Sequence, residues 1–487
     1  MYSSSDAPST ASPGNGHSYL DFGSLELQTI GLADSTRIDS TVVNIAVFKA
    51  TNFDHYDALG EEVSLGHDRQ YCCTPYVQNL TGCHPDRNLI FHQEDLRNGS
   101  VSVIQVEVPH NGEPVRVRDV ANSLSYGMDV NRYKVKSTGF YTLLLANCDY
   151  LSPMEILVTG ESVWRNPYGY LPGELYGIMP FFGVMAGLYV VVGLIWLILC
   201  ARNYNELMLL QFWISLVVGL GMVETCIKFV DYMSWNYDGA RDTGSLISGL
   251  VFGVTKRALS RVLVLMVSLG YGVVKPSLGK VLPRILTLGC LYFALALCYD
   301  LLVNLPSTNK GLDRSGMMDS LTTLVVLMSL VDVAFYMWTL QAMLSTIRYL
   351  ESRKQSVKLQ LFRRFRTVLI LSVLVSMAYA VYTMVASTES WFEEHWTSQW
   401  CINAVWEVLY LLILMAICIL WMPSSNSQRY AYSMELATFD PDDDDEDNEG
   451  ENMDDEYGGP LEEEPTVAAN KTKDVENDAP LGAEKLA

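Results

Sequence analysis

Seven charged residues interrupt the long apolar stretches in the second half of the chain, and their types and positions make them the first candidates for chemistry. They are Glu224, Lys228, Lys256, Arg257, Arg261, Asp332 and Glu407. A charged side chain at the centre of a bilayer is unfavourable by at least a few kcal/mol unless it is paired or hydrated. These residues are therefore expected to face the interior of a helix bundle.

Two interpretations of these charges are open. Glu224 and Lys228 are one helical turn apart and share a face, so they could pair with each other. In the first interpretation all the charges pair across helices and fix the packing, with Asp332 or Glu407 meeting the cations of the third helix. In the second, four positive against three negative charges leave a cationic surplus, which would hold a lipid headgroup or another anion in a cavity.

The elements that must position these residues are seven apolar runs, each close to the roughly 20 residues that a helix needs to cross a bilayer. The runs cover residues 179–201, 207–230, 245–274, 282–305, 321–347, 367–387 and 404–422. A helix pairs its backbone N–H and C=O groups with each other by hydrogen bonds, which is necessary because lipid tails offer these groups no partners. The sequence therefore predicts an α-helical seven-transmembrane bundle within residues 166–425. Because seven is odd, the two ends of the chain are expected on opposite sides of the membrane.

Basic residues in the short loops predict the orientation, since Lys and Arg are retained on the cytoplasmic side. The loops after the first, third and fifth helices hold eleven of them, and the alternate loops hold three. The N-terminal region is therefore predicted to be lumenal and the tail, residues 426–487, cytosolic. Fifteen Asp or Glu and no Lys or Arg fall between residues 440 and 464, so we predict that the tail is disordered.

Residues 25–165 show short runs of alternating or β-branched apolar residues, which predict strands. The clearest runs are residues 41–50, 100–108, 139–148 and 154–162. Several strands at this spacing favour a lumenal all-β sandwich domain, with an irregular cysteine-stapled domain as the alternative.

Cysteines and glycosylation sequons are consistent with a lumenal domain. In an oxidising lumen its cysteines can pair, and the candidates are Cys72, Cys73, Cys83, Cys148 and Cys401. Cys72 and Cys73 are adjacent, so at least one of them is expected to reach Cys148 or Cys83. Acceptor sequons for glycosylation occur at Asn79 and Asn98.

An enzyme is the least favoured class, because neither part of the chain offers a recognisable nucleophile set, metal site or cofactor motif. All seven histidines lie outside the apolar runs, which argues against a transmembrane zinc hydrolase. The last run holds no Lys for a retinal Schiff base and lacks the Asn-Pro-x-x-Tyr pattern of common G-protein-coupled receptors. With a net charge of −22, the chain is not expected to bind nucleic acid. We therefore predict no catalytic residue, metal or cofactor.

Residues 1–24 are rich in Ser, Pro and Gly, lack the apolar core of a secretory signal, and are predicted to be disordered. Transfer of a long hydrophilic domain behind an uncleaved first helix is uncommon, so an incomplete N-terminus is expected.

Four motifs at the borders of the helices are specific enough to compare with known families. NPYGYLPGELY (166–176) enters the first helix, and KRALSRVLVLMVSLGYGVVKPSLG (256–279) covers the third. RYLESRKQSVKLQLFRRF (348–365) is the basic loop before the sixth helix, and WMPSSNSQRYAY (421–432) follows the seventh. Together they resemble the GOLD-domain seven-transmembrane (GOST), or lung seven-transmembrane receptor-like, family and its transmembrane protein 87 branch. The N-terminal region resembles it only in strand pattern and cysteines.

The resemblance implies a GOLD-like β-sandwich in the lumen, a Golgi membrane location extending to endosomes and the plasma membrane, and a role in endosome-to-Golgi retrograde transport. On this hypothesis the lumenal domain binds a secretory or membrane cargo protein, a bundle cavity holds a membrane phospholipid, and trafficking adaptors bind the acidic tail. Two alternatives stay open. The first is a cation channel of the Golgi membrane, or a sensor there that responds to membrane tension or to a ligand. The second is an orphan receptor-like signalling protein. The three cations of the third helix, with no evident acidic ring, disfavour cation selectivity.

Overall fold

The described residues form mainly strands up to residue 165 and helices beyond it, as the sequence predicts. One strand, Tyr19–Asp21, lies within residues 1–24, which were predicted to be disordered, because Leu20 and Phe22 are buried in the core of the β domain. The computed structural model describes residues 1–3, 17–30, 40–50, 61–62, 69–75, 77–78, 89–90, 101–119, 124–126, 132–148, 155–274, 279–305, 314–386 and 395–423. The predictions for Cys83, Asn79, Asn98 and the acidic tail lie outside the described residues.

The described part of the N-terminal region contains twelve strands. They are β1 (Tyr19–Asp21), β2 (Glu26–Ile30), β3 (Ser40–Ala50), β4 (Glu61–Glu62), β5 (Arg69–Gln70), β6 (Val101–Pro109), β7 (Val115–Arg116), β8 (Leu124–Tyr126), β9 (Arg132–Lys134), β10 (Phe140–Asn147), β11 (Glu155–Thr159) and β12 (Val163–Arg165). The four clearest predicted strands correspond to β3, β6, β10 and β11, which confirms them.

The centre of this region is an antiparallel sheet with the strand order β10-β3-β6-β8. Successive side chains of a strand point to opposite faces. On β3, Val43, Ile45 and Val47 are buried in one core, while Ala46 and Phe48 are buried in another on the opposite face. Burial on both faces explains why residues 45–48 of β3 are all apolar and do not alternate with polar ones.

Two smaller sheets, β12-β1-β9 and β11-β2-β7, cover one face of the central sheet. Leu20, Phe22 and Leu27 from this layer share a core with Ile45 and Ile104 of the central sheet, and all five are fully buried. Two sheet layers around one core make a β-sandwich. The predicted all-β N-terminal domain is therefore present.

One disulfide joins Cys72 to Cys148, at the end of β10. Cys73 is also disulfide-bonded. Cys401, the fifth candidate, is a free, half-buried thiol. The sequence alone left these pairings open.

Seven long helices follow in the described part of the chain. They are α1 (Ile178–Arg202), α2 (Leu209–Asp238), α3 (Thr243–Ser268), α4 (Val281–Asn304), α5 (Arg314–Ser352), α6 (Ser356–Ala386) and α7 (Trp400–Leu420). Six of them are long and apolar enough to cross a membrane, and the exception is α3. Lys256, Arg257 and Arg261 interrupt its apolar sequence. The helix packs against α2, α4 and α5. The helix that carries three cations thus has three helical neighbours.

The segment between β12 and α1 is fastened to the end of α2 by Asn236. The Asn236 side chain donates to the Tyr168 carbonyl (3.0 Å) and accepts from the Leu171 amide (3.2 Å), and its own carbonyl accepts from the Tyr170 amide (3.0 Å). Gly169, with φ +146°, lies so close that a Cβ there would overlap Asn236. The first of the four motifs therefore anchors the β domain to the bundle.

Replacing Asn236 by alanine is expected to loosen this anchor and to destabilise the protein by about 1–3 kcal/mol, because the Leu171 amide and the Tyr168 carbonyl lose their partner. Limited proteolysis and thermal unfolding would measure the change. Tyr237→Ala, next along the helix and 83% exposed, is the matched control and should have little effect. Equal behaviour of the two variants would contradict the anchoring role.

Candidate functional site

Four charged residues from three helices form a buried charge cluster, made of Glu224 and Lys228 from α2, Lys256 from α3 and Glu407 from α7. The Lys256 Nζ lies 2.6 Å from Glu224 Oε2 and 2.9 Å from Glu407 Oε2. The Lys228 Nζ lies 2.7 Å from Glu224 Oε1 and 3.1 Å from Glu407 Oε1. Each ammonium thus contacts both carboxylates, and the charge cluster is neutral.

The charge cluster has a closed side and an open side. The side chains of Lys256 and Glu224 are each 2% exposed, whereas those of Lys228 and Glu407 are 27% and 21% exposed. A charge as buried as Lys256 is stable only because opposite charges compensate it.

Local sequence explains how α2 and α3 come close enough to form the cluster. Glu224 and Lys228 are one turn apart and point from one face of α2. On α3, Gly253 lies opposite, and a Cβ there would be 2.8 Å from Glu224 Oε1. Glycine at this position therefore leaves room for the carboxylate that pairs with Lys256.

Two tyrosines and a serine that the sequence did not single out complete the site. The Lys256 ammonium lies 4.4 Å from the Tyr410 ring centroid and 6.0 Å from that of Tyr189. The Tyr410 hydroxyl is hydrogen-bonded to Ser260, one turn beyond Lys256 on α3. The Tyr189 side chain is fully buried, and its hydroxyl has no hydrogen-bond partner among the described residues. In the sequence, Ser260 and Tyr410 could have been identified by their spacing, since Ser260 is one helical turn from Lys256 and Tyr410 is one turn from Glu407.

The remaining two cations of α3 pair separately. Arg257 contacts Asp300 of α4, and Arg261 Nε lies 2.6 Å from Asp332 Oδ1 of α5. The Arg261 guanidinium also lies 4.0 Å from the ring centroid of Tyr292. The two arginines share a face of α3 but reach carboxylates on different helices.

Asp300 bears on the choice between the two interpretations of the charges. With Asp300, the cluster and the two arginine pairs contain four cations and four anions, so the cationic surplus on which the second interpretation rested is not found among these residues. Asp300 lies inside the fourth apolar run, close to the end of α4, and could have been counted from the sequence. Cross-helix pairing, in which Asp332 and Glu407 both meet cations of α3, is what the structure contains.

The pairing predicts a specific pattern of charge-swap rescue. Reversing one member of the Arg261–Asp332 pair is expected to destabilise the bundle by about 3 kcal/mol, because it places like charges together in a partly buried site. The double variant Arg261→Asp/Asp332→Arg should recover most of that loss in thermal unfolding measured in detergent. The matched control, Arg257→Asp/Asp332→Arg, should show no rescue. Rescue by the control would mean that Arg257, not Arg261, faces Asp332.

Several of these paired groups keep part of their surface open within the bundle. Arg257 is 39% exposed, and Arg261 and Asp332 are 28% and 27% exposed. Charged groups do not tolerate contact with lipid tails. We therefore expect their open surface to face water or polar headgroups, and we call this partly open region of α3, α4 and α5 the polar recess.

A further ion pair lies at the end of α2 that is nearer the β domain. Arg241 contacts the buried Asp231 at 2.7 Å, and Ser245 donates to the same carboxylate at 2.7 Å. Nearby, Asp242 caps α3 by accepting from the Ser245 amide at 2.7 Å, which holds the pKa of this carboxyl below its ordinary value. The α2–α3 turn is thus fixed by its own charges.

Lys228 and Lys256 are both held by carboxylates and are not poised as nucleophiles. Within the described ranges, no group of three or more His, Cys, Asp or Glu is placed to hold a metal ion.

Comparison with known proteins supplies the family. The model of the family described as "GOST, seven transmembrane domain" matches residues 177–428, about half of the chain. Human transmembrane protein 87B is 31% identical over 401 residues, which cover 82% of this chain and 68% of the relative. Human transmembrane protein 87A is 33% identical over 271 residues, covering 55% of this chain and 47% of the relative. The chain thus spans about half the length of that protein.

A more distant relative extends the match. Membrane protein PTM1 of Saccharomyces cerevisiae is 26% identical over 436 residues, covering 86% of this chain and 77% of the relative. The region matched by the family model, residues 177–428, contains every helix that carries the charge cluster and the two arginine pairs. On these matches, this multi-pass membrane protein belongs to the GOST family, in its transmembrane protein 87 branch.

Proposed function

We propose that this protein acts in membrane trafficking as a sorting or cargo-chaperone protein of the Golgi and endosomal membranes, in endosome-to-Golgi retrograde transport. In this role the β domain binds a cargo protein in the lumen, and the polar recess of the bundle holds a phospholipid headgroup. The part assigned to the bundle rests on one observation, the neutral and partly open ion pairs of α3.

Ion pairs of this kind suit a zwitterionic headgroup. Arg257 and Arg261 offer donors for a phosphate, and Asp300 and Asp332 offer acceptors for an ammonium or hydroxyl beside it. A ligand with a negative charge alone would gain less from Arg257 or Arg261, because a carboxylate already neutralises each guanidinium. A cation pathway would require carboxylates free to coordinate a passing ion, whereas the three α3 cations engage the acidic partners. These features favour a lipid-holding scaffold over a channel.

Purification from native membranes, followed by lipid and protein mass spectrometry, tests the proposal. The full chain is expected to retain a phospholipid, and the variant Arg261→Gln/Asp332→Asn, which stays neutral, is expected to lose at least half of it. The variant Arg116→Gln/Arg118→Gln, altered only on the exposed β domain, is the control. Equal lipid content in both variants would contradict the lipid site. A current across liposomes containing the purified protein would favour the channel instead.

The transport step needs a cellular measurement. Cells that lack the protein are expected to return a surface-labelled transmembrane cargo from endosomes to the Golgi more slowly, and the full chain should restore the rate. A chain without residues 440–464 should restore it only partly if adaptors bind the acidic tail. Unchanged transport in cells without the protein would refute the trafficking role, whatever lipid the bundle holds.

A further inference from the structure

The corner between α5 and α6, residues 348–366, is strongly basic. It contains seven Lys or Arg and a single acidic residue, Glu351. Helix α5 ends at Ser352 and α6 begins at Ser356, so the turn itself is short. We call this segment the basic corner.

Buried contacts fix the basic corner in place. The Lys358 Nζ donates to the Val273 carbonyl (3.1 Å) beyond the end of α3. Phe362 and Phe365 are fully buried, and their rings contact Trp421 edge to face, with centroids 6.2 and 5.1 Å away. These contacts set the rotation of α6 about its axis, so the corner is a rigid surface.

That rotation turns the other cations outward. Arg363 and Arg364 are exposed, and Arg363 reaches back to Glu351 of α5 at 3.1 Å. Val357 is 68% exposed and lies on the same side of α6 as Arg364, seven residues on. An apolar side chain beside outward cations is typical of a surface at the boundary between headgroups and lipid tails.

Lys354 is placed in a conformation that lysine does not favour. Its φ is +55°, the one positive φ found among the non-glycine residues that the structure describes. The Gln355 amide donates to the Leu350 carbonyl (3.2 Å), closing α5 with a turn in which glycine is the usual residue. The side chain is exposed and is in no ion pair with a described residue. Packing therefore gives no reason for a cation here, whereas an external anion would.

We propose that the basic corner binds the polyphosphorylated headgroup of a phosphoinositide in the leaflet where α5 and α6 meet. Lys354 and Arg364 contact the ring phosphates, Arg348 at the exposed end of α5 adds charge, and Val357 lies at the level of the glycerol backbone. Several cations held in fixed positions on the corner favour a headgroup with several charges over a headgroup with one. A mobile basic tail would discriminate less well between the two, because its cations are not held in place.

The test uses the purified full chain and dioctanoyl phosphatidylinositol bisphosphate, with dioctanoyl phosphatidylserine as the singly charged probe. The variant Lys354→Gly/Arg364→Gln should bind the phosphoinositide about 25-fold more weakly, since each cation near the surface contributes about fivefold. Glycine suits the positive φ of residue 354, so this variant should keep the thermal stability of the native chain. Arg116→Gln/Arg118→Gln removes two cations from the β domain and should bind normally.

Three results would overturn the proposal. They are unchanged affinity in Lys354→Gly/Arg364→Gln, equal affinity for phosphatidylserine and the phosphoinositide, and binding of soluble inositol trisphosphate as tight as that of the lipid. The last would identify a free anion as the ligand. None of the three bears on the lipid recess or on the transport role, which are tested separately.

Discussion

Replacing Lys256 by methionine is expected to lower the free energy of unfolding by about 3–5 kcal/mol, because it leaves two carboxylates facing one remaining ammonium inside the bundle. Lys256 is the most buried cation of the charge cluster and contacts both Glu224 and Glu407. Thermal unfolding in detergent, followed by size-exclusion chromatography, would measure the loss. Methionine keeps much of the volume of the side chain, so the effect reports the charge.

Two further variants separate charge from packing. Lys228→Met removes the partly exposed ammonium of the same cluster and should have a smaller effect, since water screens that site. Lys256→Met/Glu407→Gln leaves the neutral pair of Glu224 and Lys228 and should recover most of the stability. If the double variant were as unstable as Lys256→Met, the packing of the lysine, not its charge, would be responsible.

Local patterns were sufficient to predict four of the described strands and the seven long helices. Strand β3 was found from its β-branched residues, and the helices were found from apolar runs of the length that a bilayer requires. Helix α3 fits the same account only when its neighbours are considered. Its three cations would be excluded from a lipid-facing helix, so their presence already indicated a helix with partners on several sides.

The pairing of the charges could not be predicted to the same degree. Arg257 and Arg261 share a face of α3, yet Asp300 and Asp332 come from different helices. Which carboxylate lies at which depth depends on the tilt and vertical offset of α4 and α5, and no local pattern encodes these. The sequence therefore identified seven of the eight charged residues, all but Asp300, and predicted the Glu224–Lys228 pair, but not which carboxylate meets which cation of α3.

Tyr189 was missed for a different reason. It is one of many aromatic residues in an apolar run, and only the structure shows that its ring lies against the backbone of Gly221 on α2. The two residues are distant in sequence, and neither carries a charge that would draw notice. A close approach of this kind is visible only when two helices are seen packed together.

Gly221→Ala is expected to destabilise the bundle by about 2–3 kcal/mol, because a Cβ at this buried position would overlap the Tyr189 ring, with Cζ 2.9 Å away. The Tyr189 ring lies 6.0 Å from the Lys256 ammonium, and Glu224 follows Gly221 on α2, so a shift of either is expected to disturb the charge cluster. Gly219→Ala, two residues earlier on α2, is the matched control, since nothing lies within 4 Å of its Cβ. Alanine there should leave the bundle as stable or slightly more stable, as expected for a helix interior.

Relief of the clash should restore stability if the Tyr189 ring is its cause. Gly221→Ala/Tyr189→Leu is therefore expected to unfold at a higher temperature than Gly221→Ala alone. Tyr189→Phe alone keeps the ring and removes only the buried hydroxyl, which has no described partner, so it should retain the native stability. A large loss in Tyr189→Phe would instead mean that the hydroxyl is engaged, by a bound water or ligand beside Lys256, and that the side chain serves the polar site as well as the packing.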